Sequence, residues 1–221
     1  MSTPSIVILI SGSGSNLQAI IDAVAEKKIH AHISAVISNR PDVLGLEKAK
    51  AAGIDTIVID HTEFTERQQF DKALAEQVAK LQPDLIVLAG FMRILPENFI
   101  EQYEGRMLNI HPSLLPEFKG MHTHRRALEA GHNQHGASIH FVSNELDSGP
   151  VVIQAIIPVL GNDDEKTLAE RVLEQEHIIY PLAIEWFVTG RLSLINNHVH
   201  FDNKPVKKIA IWQSNTLSLP Q

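Results

Sequence analysis

Cysteine is absent from all 221 residues of the chain. That excludes a disulfide framework, thiolate zinc sites and a cysteine nucleophile. No apolar run approaches the roughly 20 residues that a membrane span needs. Met1-Ser2-Thr3-Pro4 lacks the basic start of a signal peptide, so a cytoplasmic protein is expected. Basic residues are in deficit, 19 Lys and Arg against 26 Asp and Glu, for a formal charge of −7. Such a balance opposes a general nucleic-acid binder, which needs a basic surface, and leaves small molecules as the expected partners. A local basic pocket for one small anion stays compatible with it. There is no internal repeat, low-complexity stretch or interdomain linker, and the length suits one domain. At 44% hydrophobic residues the core should be large enough to need neither disulfide nor structural metal.

What is present is an alternation. Ile6–Ile10 is a continuous apolar run, as expected of a parallel strand covered on both faces. A helix is predicted from Leu17 to about Lys27, then a strand over Ile33–Ser38, a helix over Leu44–Ala52 and a strand over Thr56–Asp60. A helix from about Glu63 to Leu81 precedes a fourth strand, Asp84–Gly90. Pro96 is placed to open a short helix before a fifth strand, Arg106–His111. Repeated β-α-β units with short connections imply an open, mostly parallel twisted sheet with helices on both faces, an α/β protein. In the second half the pattern changes and antiparallel strands are expected. A helix is read around Arg125–Ala130, and Ala137–Val142 alternates like a half-exposed strand. Pro150 to about Val159 is another strand. The last long helix spans roughly Asp164–Tyr180, where Pro181 kinks or ends it. Leu192–Phe201 reads as an edge strand, and the sequence beyond Asn203 as a poorly anchored tail.

Within the fifth strand two polar residues interrupt the apolar pattern at i and i+2. Strand side chains alternate between faces, so Asn109 and His111 point one way while Leu108 and Ile110 point the other. Pro112 holds His111 extended and stops the strand. An amide and an imidazole are thus delivered together at the carboxyl end of a strand, where open α/β sheets build active sites.

Three loops could serve that pair. Ser11-Gly12-Ser13-Gly14-Ser15-Asn16 lies between a strand and a helix, where glycines let the backbone approach an anion and the helix supplies unpaired N–H groups. It is not a dinucleotide fingerprint, because Leu17 stands where the third glycine would fall, nor a Walker loop. Two readings stay open, a cradle for one phosphate or a plain turn with Ser15 or Asn16 as N-cap. Phe91-Met92-Arg93-Ile94-Leu95 follows the fourth strand and offers either an apolar ledge for a flat ligand or a buried loop with one solvated arginine. Glu145-Leu146-Asp147-Ser148-Gly149-Pro150 has strong turn chemistry. Asp147 either caps that turn or approaches His111, where a carboxylate favours the protonated imidazole as acid and electrostatic stabiliser. Glu176 falls beside the Leu168–Val172–Ile179 helix stripe, facing the core or a cleft edge. The 12 histidines include His122-Thr123-His124 and His132–His135, but no HExxH pattern or cysteine joins them, and no metal is expected.

Ser11–Gln18, Ala89–Arg93, Asn109-Ile110-His111-Pro112-Ser113-Leu114-Leu115-Pro116 and Glu145–Pro150 come in the order and spacing of one family. From Ile6 to about Arg191 the chain closely resembles the phosphoribosylglycinamide formyltransferases, the folate-dependent transformylases of purine synthesis. The Asn–His–Asp set with Ser-Leu-Leu-Pro is shared by several formyl-folate enzymes, while the Gly-Ser-Gly-Ser-Asn loop is the more specific marker. The resemblance implies a Rossmann-like formyltransferase fold in one domain. Residues 1–111 would be its nucleotide-binding-like half, 112–201 its folate and catalytic half and 202–221 a tail. It implies catalysis by Asn109, His111 and Asp147, with the substrate ribonucleotide on Gly14, Ser15, Asn16 and on Leu173, Glu174, Gln175 and Glu176. The donor, 10-formyltetrahydrofolate, would lie on Arg67, Met92, Arg93, Ile94 and Leu95. It would also reach Asn109 and the loop of Ser143, Asn144, Glu145, Leu146 and Asp147. Glu117 departs from the small or basic residue often found there. A monomer or homodimer is expected.

Three rivals share parts of this pattern. A formate-releasing hydrolase would turn the same Asn–His–Asp set on water, but its family usually carries an extra N-terminal domain, and here the first strand starts near residue 6. A methionyl-tRNA formyltransferase would need an added C-terminal domain and a more basic surface. A non-catalytic sugar-phosphate binder would have no reason to unite Asn109, His111 and Asp147.

Overall fold

The computed structural model describes residues 3–221. The chain divides into two compact units, Met1–Leu108 and Asn109–Gln221. The first unit runs β1 (Ser5–Ile10), α1 (Ser15–Ala25), β2 (His32–Ser38), α2 (Leu44–Ala51), β3 (Thr56–Val58), α3 (Arg67–Leu81), β4 (Leu85–Leu88) and α4 (Glu97–Gln102). Its strands lie in the order β4-β1-β2-β3 and pair in parallel throughout. The apolar run of β1 explains its place at the centre, because Ile6 to Ile10 are fully buried. Each such side chain contributes about 1.5–3 kcal/mol relative to exposure. Helices α1 and α3 cover this core with Leu17, Ile20 and Ile21, and with Phe70, Leu74 and Val78, at helical spacing. The helix expected from Glu63 begins only at Arg67. His61–Glu63 instead form a single 3₁₀ turn, closed by the Asp60 carboxylate accepting from the Thr62 N–H at 2.9 Å.

β5 (Met107–His111) starts in the first unit and ends in the second. The second unit continues with α5 (Thr123–Glu129), β6 (Gln134–Phe141), β7 (Val151–Pro158), α6 (Glu165–Val188), β8 (Leu192–Ile195), β9 (His198–Phe201), β10 (Lys204–Pro205), β11 (Ala210–Gln213) and β12 (Thr216–Ser218). Its main sheet has the order β12-β11-β7-β6-β5, with β6 antiparallel and β11 parallel to β7. β8, β9 and β10 form a small antiparallel sheet. Mostly parallel strands in the first half and antiparallel pairs in the second are the α/β architecture expected.

Four local readings are corrected. β6 is not half-exposed: Ser138 and His140 alternate with apolar residues yet are 0% and 2% exposed. α6 does not stop at Tyr180 but passes through Pro181 to Val188, because Tyr180, Ala183, Ile184 and Trp186 keep burying a continuous face. Its start is fixed by a capping box in which Asp164 and Thr167 satisfy each other's backbone N–H groups. Leu192–Phe201 is not one strand but the β8–β9 hairpin, turning at Asn196-Asn197. Nor is the tail poorly anchored, since β11 adds to the main sheet beside β7. Asn196-Asn197, Asp202-Asn203 and Ser214-Asn215 all take the left-handed conformation between paired residues. Two consecutive positive-φ residues make the tight turn that suits strand twist, and Asn and Asp tolerate it best after glycine.

Candidate active site

Leu108 and Ile110 bury the apolar face of β5, which leaves Asn109 and His111 together on the other. Asp147 reaches them from the β6–β7 connection, where its backbone is left-handed at φ 48°. Its Oδ2 lies 3.3 Å from His111 Nδ1, with both side chains at least nine-tenths buried. Oδ2 also accepts the Gly120 N–H at 2.9 Å. The other ring nitrogen of His111, Nε2, donates to the Phe118 carbonyl at 3.0 Å. Oxygen acceptors therefore face both nitrogens, a geometry that suits a ring carrying a hydrogen on each. The expectation that Asp147 approaches His111, rather than only closing a turn, is met by this geometry.

The residue that sequence reasoning missed is His140. Its Nε2 is 3.0 Å from Asn109 Nδ2 on the neighbouring strand and 3.8 Å from Asp147 Oδ1, while Nδ1 faces the Phe141 carbonyl at 2.9 Å. Burial depresses its pKa. The Phe141 carbonyl and the Asp147 carboxylate oppose that depression, and His111 adds to it. Ser138, two residues earlier on the same face, accepts from the Leu115 N–H and donates to the Ser113 carbonyl, which ties the Ser-Leu-Leu segment to β6.

In the first unit, the strand–helix turn resolves one open reading. Gly14, at φ 67°, is itself the N-cap of α1, and no side chain caps the helix. Ser15 and Asn16 therefore lie inside the first turn and do not cap it. A Cβ on Gly14 would meet Gly45 Cα at 2.7 Å, so both conformation and space require glycine. The uncapped end of an 11-residue helix is the kind of place where an anion is held. Gly14→Ala is expected to weaken affinity for a phosphate-bearing substrate at least tenfold, measured by calorimetry. Unchanged affinity would remove the turn from the binding site.

On the ledge after β4, Met92 and Ile94 are 69% and 57% exposed, while Leu95 is buried. Arg93 stacks over Phe70 at 4.7 Å, and Arg67 donates to the Ile94 carbonyl at 2.7 Å, which props the ledge. In the second unit Leu146 is 55% exposed at the tip of the Asp147 loop, and Ser143 donates to the Glu145 carbonyl to hold that tip. Along α6, Glu176 is buried, Gln175 accepts from Trp212 Nε1 at 3.0 Å and Glu174 is exposed.

Among the described residues no helix is long and apolar enough to cross a membrane, and no cluster of three or more His, Asp or Glu side chains is placed to hold a metal ion. Three histidines of the 117–135 region have partners within that region. His124 Nδ1 and His135 Nε2 share a hydrogen at 3.1 Å, and His132 pairs with Glu117 at 3.2 Å. Burial, reinforced by His124, His132 and His111, lowers the pKa of His135 to about 4. A buried histidine kept neutral takes up its proton more readily when unfolded, so its contribution to stability is full above pH 6.5. That contribution is lost between 6.5 and about 4 and is level below. Urea unfolding at stepped pH is expected to show a loss on the order of a few kcal/mol across this window. The slope should be shallower in His135→Gln.

The formyl transferase family profile matches residues 5–184. The chain is 52% identical over 200 residues to a phosphoribosylglycinamide formyltransferase of Escherichia coli K12, covering 90% of this chain and 94% of that one. Against the same-named protein of Haemophilus influenzae, identity is 46% over 203 residues, covering 92% and 96%. A solved phosphoribosylglycinamide formyltransferase of Coxiella burnetii superposes with a TM-score of 0.88 at 49% identity, over 93% of this chain and 96% of that one.

Proposed function

Because the chain belongs to the formyl transferase family, we propose that it transfers the formyl group of 10-formyltetrahydrofolate to the primary amine of 5′-phosphoribosylglycinamide, in purine nucleotide synthesis. The convergence of Asn109, His111 and Asp147 carries this reading. The amine attacks the formyl carbon, giving a tetrahedral species with a negative oxygen. The new C–N bond forms, the bond to N10 breaks, and one proton passes from the amine to the departing nitrogen. Preorganised donors aimed at the developing oxyanion are usually the largest contribution to such catalysis. Asn109 offers an amide N–H. His111, held between the Phe118 carbonyl at Nε2 and Asp147 at Nδ1, would add its ring beside that amide. Asp147 orients that ring and takes part in relaying the amine proton, directly or through water.

The Gly14–Asn16 turn would hold the substrate phosphate, with Leu173 to Glu176 assisting. Met92, Arg93, Ile94, Leu95, Arg67 and the Ser143–Asp147 loop would receive the folate. Exposed Met92 and Ile94 in the first unit give apolar surface for a flat ring. A cytoplasmic enzyme, monomeric or homodimeric, fits two soluble substrates.

One assay tests the reading against its rivals. The protein is mixed with 10-formyltetrahydrofolate, with and without glycinamide ribonucleotide, and loss of the formyl group is followed. Consumption only with the ribonucleotide is expected. Consumption without it would mean a hydrolase, and none in either case a binding protein.

A further inference from the structure

An asparagine serves an oxyanion only if its amide presents the N–H end. The two ends are nearly the same size, so something must choose between them. The carbonyl end would repel the developing charge.

His140 is placed to make that choice. Its Nδ1 faces the Phe141 main-chain carbonyl at 2.9 Å, an acceptor only, so Nδ1 carries the hydrogen. In the neutral ring Nε2 is then a lone pair, and it lies 3.0 Å from Asn109 Nδ2. A lone pair there accepts from the amide NH₂ and repels the amide carbonyl. One hydrogen of Nδ2 goes to His140, and the second is left for the reaction. The ring is buried on all sides, at 2% exposure, and the groups facing it are Asn109, His111, Asp147 and the Phe141 carbonyl. Burial keeps it neutral, which the lock requires.

We propose that His140 is a positioning residue that fixes the Asn109 amide, through a neutral Nε2 acceptor, with its N–H end toward the oxyanion. The proposal rests on the oxyanion role given to Asn109 above. A charged His140 would have the opposite effect, donating from Nε2 and drawing in the amide carbonyl.

A double-mutant cycle tests it. His140→Met keeps bulk and removes the acceptor. It should lower kcat for formyl transfer by about 10- to 100-fold, up to the low end of what a lost oxyanion donor costs, with KM for either substrate changed less than about threefold. In an Asn109→Ala background, which has no amide to orient, His140→Met should cost less than about threefold more. Equal losses in both backgrounds would mean that His140 acts by packing, and would overturn the proposal while leaving the role of Asn109 intact. Wild-type turnover in Asn109→Ala would overturn that role itself, and the positioning role with it. A measurement on the unmodified protein is independent of how the variants fold. ¹⁵N spectra of labelled histidine should show His140 at pH 7 as the neutral tautomer with hydrogen on Nδ1. An imidazolium, or hydrogen on Nε2, overturns the proposal.

Discussion

His111→Ala and Asp147→Ala each lose turnover by about 10²–10³, the range set by removing one oxyanion donor from an acyl-transfer site, while substrate affinity stays largely intact. The split is expected because neither side chain is placed as a general gripping group. Both are at least nine-tenths buried, and the groups they meet are each other, the His140 ring and the main chain at Phe118 and Gly120. Asp147→Ala strips Nδ1 of its acceptor and frees the Gly120 N–H, so the ring keeps only its bond to Phe118. Asp147→Asn, which can still accept from Gly120, should recover part of the geometry but not the charge. It separates orientation from proton relay. Initial rates at saturating substrate, with dissociation constants from titration of the folded variants, provide the check. Near-normal turnover in either alanine variant would sink the role assignment.

Asn109 and His111 were legible because a polar pair at i and i+2 inside an apolar strand, ended by proline, has few structural explanations. Ser138 and His140 carry the same signal two strand positions apart. It was masked because β6 is otherwise a plausible half-exposed strand, and alternation cannot tell a solvated face from a buried polar one. Only the partners reveal the difference: Ser113, Leu115 and Gln154 for the hydroxyl, Asn109 and Phe141 for the ring. The contributions of Phe118 and Gly120 could not have been read at all, since a carbonyl and an N–H belong to every such residue. At the carboxyl terminus the turn dipeptides Asn196-Asn197, Asp202-Asn203 and Ser214-Asn215 were present as hairpin signals. Their flanking strands of two to four residues were too short for periodicity to register. The long helix through Pro181 is the opposite case, where burial of Tyr180, Ala183, Ile184 and Trp186 outweighs one missing backbone hydrogen bond.

The largest loss of stability is expected at a residue with no side chain. Gly149 lies at the mouth of the β6–β7 pair, and a Cβ there would be driven into the Phe141 carbonyl oxygen. That oxygen is the acceptor for His140 Nδ1, and the Phe141 N–H donates to the Pro150 carbonyl at 3.0 Å. Gly149→Ala must therefore displace backbone, which cannot swing aside as a side-chain tip can. Overpacking a core typically costs about 1–3 kcal/mol even when side chains absorb it, so a main-chain clash should exceed about 3 kcal/mol. Against a total stability of roughly 5–15 kcal/mol, that is a large part of what holds the chain folded. Gly161→Ala is the control. Its added Cβ meets nothing within 4 Å and its φ is not in the left-handed range, so it should be neutral or slightly stabilising. Urea unfolding of the two variants beside the parent protein measures the contrast. Any Gly149→Ala protein that does fold should also lose turnover by displacing the Phe141 carbonyl from His140, whereas Gly161→Ala should keep it. A Gly149→Ala midpoint equal to the parent's would mean that the β6–β7 mouth yields to an added methyl, and that the Phe141 carbonyl is not the fixed point from which His140, and through it Asn109, takes its orientation.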